Sequence, residues 1–272
     1  MAWKLSSEQV RQYRQEGFTS PVSVLTEREA VECRRRFEAL RDLNEDDRDG
    51  SMVLFIKPHL LFPWLDELVR HPAILDAVED LIGPDILLYS DSFIVKEPHT
   101  DGVFSMHQDR WRWQLEPMEV VNCWLAFTPS VPSNGCMRMV PRSHLHGELP
   151  HESIKSKENV ISYGQTVTCI DTSTAVDLVL RPGEMSIHDV GTVHASGPNG
   201  HSDRRIGFIT RFVPSHVRPL GGPKNSATLV RGEDRYGFWE LEPRPRIDLD
   251  PSALPLHRTI LANHAPSGYM FL

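Results

Sequence analysis

The chain has 272 residues, 40% of them hydrophobic and 24% charged, which excludes a disordered chain and allows a full hydrophobic core. A formal net charge of -8 gives no general attraction to nucleic acid or to anionic lipid surfaces. The N-terminus lacks the apolar core of a signal peptide, and no run approaches the roughly 20 apolar residues that span a bilayer, so we expect a soluble, cytoplasmic protein without nucleic-acid or membrane partners.

The first part of the chain has the pattern of helices. Residues 6–16 and 26–44 each begin at a Ser or Thr that can cap a helix, and a third helix over Pro72–Ile82 is expected to stop at Gly83-Pro84. The polar run 44–50 predicts an exposed loop.

From residue 86 onward the sequence changes to short β-branched and aromatic runs broken by Pro, Gly and Asn, which is typical of antiparallel sheets. The predicted strands cover residues 86–95, 103–107, 120–127, 136–140, 175–180, 184–188, 192–195 and 205–213. Eight strands after a helical start predict a mostly β fold with flanking helices, a double-stranded β-helix or cupin-like jelly roll.

We expect a single domain over 1–272, with a helical part to about residue 85, a jelly-roll core over 86–215 and a C-terminal lid or tail over 216–272. Two weakly patterned connections, 145–171 and 218–246, are long for a compact domain. The second contains Arg231, Arg235, Tyr236 and Trp239, which suit either a lid over a bound acid or a solvated surface loop.

His107 and Asp109 lie two residues apart, so on an extended strand both side chains point to the same face. One strand end can therefore supply two ligands to one metal ion. The tripeptide alone is a weak signal, because His-x-Asp is common by chance.

His194 stands in an apolar, strand-like run followed by a turn, and can add a third ligand from a neighbouring strand. His188 is the competing choice, but Arg205 would then be too far along the chain to lie on a neighbouring hairpin strand. Two imidazoles and one carboxylate leave open positions on the ion, which suits non-haem Fe(II) better than a closed zinc site.

Arg205 would follow His194 on the next strand, if Gly, Pro and Asn between them form a hairpin turn. Its guanidinium could hold the distal carboxylate of 2-oxoglutarate bidentately, and a nearby hydroxyl such as Ser196 could add a hydrogen bond.

Three runs stand in this order along the chain: MHQDRWRW, NCWLAFTPSVPSNGCMRMVPRSH and LRPGEMSIHDVGTVHASGPNGHSDRRIGF. In order and spacing they together resemble the phytanoyl-CoA dioxygenase family of Fe(II)- and 2-oxoglutarate-dependent oxygenases. The resemblance implies that His107, Asp109 and His194 are the metal ligands and that Arg205 and Ser196 bind 2-oxoglutarate.

The same resemblance extends to the walls of the pocket. It implies that Lys57 and Trp124 line the cosubstrate pocket and that Trp113 borders the substrate. The family's Pro-Gly-Ser-His becomes Pro141-Arg142-Ser143-His144 here, and Arg142 either reaches an anionic substrate or faces solvent. Asp109 is retained, which favours oxygenation over halogenation.

The expected activity is a dioxygenase that uses Fe(II), 2-oxoglutarate and O2 to hydroxylate or otherwise oxidise a C–H bond of a small polar or anionic metabolite, with succinate and CO2 as coproducts. An acyl-CoA is the second substrate class to consider. A jelly roll that binds metal and ligand without turnover, and a zinc hydrolase, are the competing functions.

Overall fold

The first helix of the chain begins and ends at residues that the sequence marks. The structure, a computed structural model, describes residues 5–42, 56–154, 156–161, 165–220 and 225–264, so the predicted loop at 44–50 lies outside the described residues. Ser6 and Gln9 form a capping box, and Gly17 ends the helix with φ 87°. The helices are α1 (Ser7–Glu16), α2 (Glu27–Asp42), α3 (Pro63–Val69), α4 (Pro72–Ile82) and α5 (Leu254–His264).

The predicted strands are all present, and the structure adds others. In chain order the strands are β1 (Phe18–Ser23), β2 (Ile86–Lys96), β3 (Phe104–His107), β4 (Leu115–Glu116), β5 (Val121–Ala126), β6 (Met137–Met139), β7 (Glu152–Ser153), β8 (Gln165–Thr166), β9 (Val176–Leu178), β10 (Glu184–Asp189), β11 (His194–Ser196), β12 (Arg205–Pro214), β13 (Arg218–Pro219), β14 (Ser226–Arg231) and β15 (Glu240–Leu241).

Two sheets carry the architecture. The larger has the strand order β1-β10-β5-β12-β2-β14-β15 and the smaller the order β3-β11-β6-β9. Within these two sheets, every pairing between the described strands is antiparallel except that of β14 with β15. The jelly roll predicted from the sequence is confirmed, with the ligand-bearing strands β3 and β11 side by side in the smaller sheet.

Side chains alternate between the two faces of the larger sheet. Cys123 and Leu125 of β5, with Phe208 and Phe212 of β12, join the main hydrophobic core, to which α3 and α4 contribute. The residues between them point to the opposite side, which we call the inner face: Asn122, Trp124, Arg205, Gly207, Ile209 and Arg211. A polar interior on one face and an apolar core on the other therefore share the same strands.

Candidate metal centre

Strand pairing brings the three predicted metal ligands together. His194, the first residue of β11, is directly opposite His107, the last residue of β3. Asp109 follows at the start of a 3-10 turn, Asp109–Arg112. One ligand atom from each residue lies within 4.8 Å of the other two, with His107 Nε2 3.5 Å and His194 Nε2 4.0 Å from Asp109 Oδ1.

Both imidazoles are oriented by backbone carbonyls. His107 Nδ1 donates to the Ser105 carbonyl at 2.8 Å, and His194 Nδ1 donates to the Thr192 carbonyl at 3.0 Å. The proton on each ring is thereby placed on Nδ1, which leaves the Nε2 lone pairs for a metal ion.

The protonation states also suit a divalent cation. Burial, and next the neighbouring imidazole of His107, lower the pKa of His194 to about 4, so the ring is neutral near neutral pH. Burial alone would raise the pKa of Asp109, but His107, His194 and Arg211 outweigh it and hold the pKa well below its usual range. The site therefore offers two neutral imidazoles and one carboxylate.

Asn122 ties the carboxylate to a third histidine. Its Nδ2 donates to Asp109 Oδ2 at 2.7 Å and to His188 Nε2 at 3.1 Å. Asp109 Oδ2 is thus occupied, and Oδ1 is the oxygen that faces the two imidazoles. His188 is a buried neighbour that supports the ligand set through Asn122, which agrees with the choice of His194 over His188 as the third ligand.

Arg205 is buried on the inner face, and no described acidic residue pairs with it. Its guanidinium donates to the Gly135 carbonyl and to Ser196 Oγ, the latter at 3.2 Å, and lies 5.2 Å from the ring centroid of Trp124. Burial lowers the pKa of Arg205 to about 10, with a small opposing effect from Cys136. A carboxylate is the partner that this buried cation lacks.

The connection from His194 to Arg205 differs from the predicted hairpin. β11 belongs to the smaller sheet and β12 to the larger one, so the turn crosses between sheets. Asn199 accounts for the crossing, because its Nδ2 donates to the carbonyls of Lys96, Glu97 and Asp203 and ties the turn to β2. The hairpin was wrong, but Ser196 and Arg205 are still in contact.

The interior beneath the ligands is polar and incompletely hydrogen-bonded. Among the described residues, the buried polar atoms without a partner include Ser92 Oγ, Asn122 Oδ1, Ser186 Oγ, His188 Nδ1, Arg205 Nε and Arg211 Nε. Register places Ser186 and Ser92 in one row with Trp124, on the inner face. Buried polar groups usually find partners, so these atoms fit a cavity that takes a polar ligand such as 2-oxoglutarate.

This constellation agrees with the sequence as a whole. The profile of the phytanoyl-CoA dioxygenase family matches residues 13–207, well over half of the chain. The chain belongs to the phytanoyl-CoA dioxygenase family. Membership makes it a non-haem iron dioxygenase that uses Fe(II) and 2-oxoglutarate, as its relatives do.

Several proteins are similar over most of their length. A probable alpha-ketoglutarate-dependent hypophosphite dioxygenase of Stutzerimonas stutzeri is 25% identical over 242 residues, or 80% of this chain and 82% of that protein. The structure of the non-heme monooxygenase ThoJ in its apo form has a TM-score of 0.85 and 33% identity, covering 95% of this chain and 96% of that chain. CytC3 with Fe(II) and alpha-ketoglutarate has a TM-score of 0.66 and 26% identity, covering 89% and 94%.

Lys57 has a different partner from the one that the family resemblance implied. Its Nζ donates to Glu242 and to the Ser226 carbonyl in a buried network, where His59 contacts Asp91 and Glu242. Because Glu242 neutralises the ammonium group, we correct the cosubstrate assignment of Lys57.

Lys96 is the lysine that the structure places opposite Arg205. The two residues pair across β2 and β12, so their side chains share a face. Lys96 is buried, and burial followed by repulsion from Arg205 lowers its pKa to about 7. Its Nζ donates to the Gly102 carbonyl at 2.6 Å, and no described carboxylate pairs with it.

The structure gives the surroundings of two further predicted residues, Arg142 and Arg231. Arg142 is exposed, beside the Glu16 carbonyl that accepts its backbone N–H, so it faces solvent rather than an interior substrate. Its φ of 65° is the left-handed conformation that glycine adopts most easily, which explains the glycine of the family motif. Arg231 pairs with Asp76 and Glu79 of α4, which argues against its holding a bound acid as part of a lid.

Trp113 lies at the end of the turn that begins with Asp109, so the strand does not continue through the tryptophans. Its ring contacts Tyr89 edge-on at 5.5 Å and carries the Arg211 guanidinium at 5.5 Å from its centroid. Trp113 thus lies close to the ligands, and its role toward substrate remains a prediction.

Gln108 lies between the ligands His107 and Asp109 in the sequence, and its side chain points away from the metal site. Its side chain donates to the carbonyls of Gly147 and Gly191 and accepts from the Leu149 N–H. Its backbone N–H donates to His151 Nε2 at 3.0 Å. Part of the long connection 145–171 is thereby fixed to the strand end that carries the ligands.

Proposed function

We propose that the chain oxidises a C–H bond of a small, polar or anionic metabolite, with Fe(II) held by His107, Asp109 and His194 and 2-oxoglutarate held by Arg205 and Ser196. One observation carries the proposal. The same interior holds three convergent ligand atoms and a buried arginine, Arg205, that lacks an acidic partner among the described residues. The relative described as a probable hypophosphite dioxygenase supports a small-molecule substrate.

The protein's part in the reaction is binding and orientation. When bound, Fe(II) and 2-oxoglutarate supply, with O2, the oxidising power for C–H cleavage and yield succinate and CO2. The Nδ1 hydrogen bonds of His107 and His194 hold the rings so that both Nε2 atoms face one point. Arg205 fixes the far carboxylate of the cosubstrate through a planar, charge-assisted contact.

Trp124 completes the cosubstrate end of the pocket. Its ring lies under the Arg205 guanidinium and against Gly207, where an added Cβ would come within 1.9 Å of the ring. The aromatic wall keeps the guanidinium in one place and keeps water from one side of it. Polarity on the inner face and an apolar wall behind it suit a ligand that is charged at both ends.

The test is succinate formation from 2-oxoglutarate by protein loaded anaerobically with Fe(II) and then exposed to O2. Asp109→Ala should abolish it, whereas Asp177→Ala, at an exposed carboxylate paired with Arg138, should not. Arg205→Ala should weaken 2-oxoglutarate binding about 10- to 100-fold with metal binding retained. Wild-type turnover by the Asp109→Ala enzyme would contradict the proposal. Activity that needs neither iron nor O2 would also contradict it and would favour a hydrolase.

A further inference from the structure

Arg211 is a second arginine on the inner face of β12, near the metal ligands. It pairs in register with Asn122, whose amide holds Asp109, so the two side chains leave the sheet side by side. Its charge lowers the pKa of Asp109 and of His194, which places it in the same interior. A shift in the register of β12 with β2 directly follows it, and such irregularities re-aim side chains at functional sites.

Aromatic rings hold the Arg211 guanidinium in position. The guanidinium lies over the ring of Trp113, which contacts Tyr89. The ring of Tyr89 in turn contacts that of Trp239 edge-on, with 5.6 Å between ring centroids and 61° between ring planes. Trp239 is buried and donates from Nε1 to the Val217 carbonyl at 2.8 Å. A guanidinium stacked on a supported ring loses little further entropy when it binds an anion.

The cation has no acidic partner among the described residues. Its Nε is buried without a hydrogen bond, while the residue as a whole is only half-buried, so its tip is accessible. Asp109 is already committed, with Oδ2 to Asn122 and Oδ1 toward the imidazoles.

Arg205 and Arg211 are held at separate places on the inner face. Their Cα atoms are six residues apart on an extended strand, roughly 20 Å along its axis, and each guanidinium rests on its own ring, Trp124 for Arg205 and Trp113 for Arg211, so we assign them separate ligands. With the cosubstrate on Arg205, the positive charges of Fe(II) and both arginines exceed the negative charges of Asp109 and 2-oxoglutarate by one, before any proton on the buried Lys96 is counted. The interior can therefore take at least one further negative charge.

We infer that Arg211 is the subsite for a carboxylate of the substrate, which it holds on the side of the metal ligands opposite Arg205. This inference rests on the proposed function and narrows its substrate class to small organic acids. The bidentate contact fixes the acid end, and the remainder of the molecule then lies toward the metal ligands, where its C–H bond is presented.

The experiment uses protein loaded with Ni(II) and 2-oxoglutarate, so that no turnover occurs, and follows thermal stabilisation by matched probes. The probes are phenylacetate, hexanoate and N-acetylglycine, each compared with its primary amide. We expect at least one acid to stabilise the wild type and its amide not to. Arg211→Gln should weaken that acid about 10- to 100-fold, and Trp113→Leu should weaken it less because the charge remains.

Two controls separate this inference from the proposed function. Arg218→Gln removes an exposed arginine paired with Glu116 and should leave every probe unaffected. The 2-oxoglutarate titration of Arg211→Gln should match the wild type, which also shows that the variant is folded. If 2-oxoglutarate binds normally but no acid stabilises the wild type, the Arg211 subsite is wrong while the iron assignment stands. The same conclusion follows if the amides stabilise the wild type as much as the acids do, or if the acids stabilise Arg211→Gln as much as the wild type. Should Arg211→Gln fail to fold, Trp113→Leu decides: unchanged acid affinity there overturns the subsite.

Discussion

Replacing Asn122 with Ala should weaken metal binding although Asn122 is not a ligand. The change removes the 2.7 Å hydrogen bond to Asp109 Oδ2 and the 3.1 Å bond to His188 Nε2. A hydrogen bond to a charged group contributes about 1.5–3 kcal/mol, which corresponds to about 10- to 100-fold in the dissociation constant. Loss of an outer-shell partner typically has the same effect on metal affinity. The measurement is calorimetric titration with Co(II), which tolerates air.

Asn199→Ala is the matched control. Asn199 is buried, and its side-chain amide donates to three backbone carbonyls: those of Lys96 and Glu97 at the end of β2 and that of Asp203 just before β12. Both variants should lose stability by about 1–3 kcal/mol, because each leaves buried groups without partners. Only Asn122→Ala should lose Co(II) affinity. Equal Co(II) affinity in Asn122→Ala and the wild type would refute the idea that Asn122 positions the carboxylate.

Three further outcomes are expected. Gly207→Ala should destabilise the fold by about 1–3 kcal/mol in urea unfolding, because its Cβ would overlap the Trp124 ring at 1.9 Å; unchanged stability would contradict the packing. The pKa of Lys96 is lowered to about 7, and a bound dianion favours the ammonium form, so affinity for 2-oxoglutarate should fall as pH rises through about 7 in the wild type and stay level in Lys96→Met. Burial lowers the pKa of His59, but two buried carboxylates outweigh burial and raise this pKa to about 9. The protonated His59 should therefore stabilise the fold fully below about pH 6.5, and this stabilisation should be lost as the pH rises through about 9. Urea unfolding measured at about pH 6.5 and at about pH 9 should show this loss of stability in the wild type and not in His59→Gln.

Much of the metal centre is encoded locally and could be predicted. Because His107 and Asp109 are two residues apart in the sequence, they lie next to each other whatever the rest of the fold does. His194 pairs directly with His107 across the two strands. The turn at Asp109 was missed because nothing in a two-residue spacing shows where a strand ends. Partners contributed by other strands, such as Asn122, have no local signal of their own.

Strand periodicity could have identified two of the missed residues. Asn122 precedes Trp124 by two positions, and Arg211 follows Arg205 by six, so each shares a face with a residue already assigned to the pocket. Lys96 required the pairing of β2 with β12, which only the fold provides. β1 was missed because Pro21 interrupts its strand pattern, and β14 was missed because it lies in a segment rich in proline, glycine and arginine.

The position of Gln108 has a consequence for how the substrate reaches the metal ligands. Its side chain bridges the backbone at Gly147, Leu149 and Gly191, while its own backbone is continuous with His107 and Asp109. Displacing those loops would therefore drag the ligand-bearing strand end with them. Traffic of small molecules into and out of the enzyme is expected on the other flank of the site, where the half-buried Arg211 tip is accessible, and the Gln108 flank serves as the fixed wall against which the reacting molecule is held.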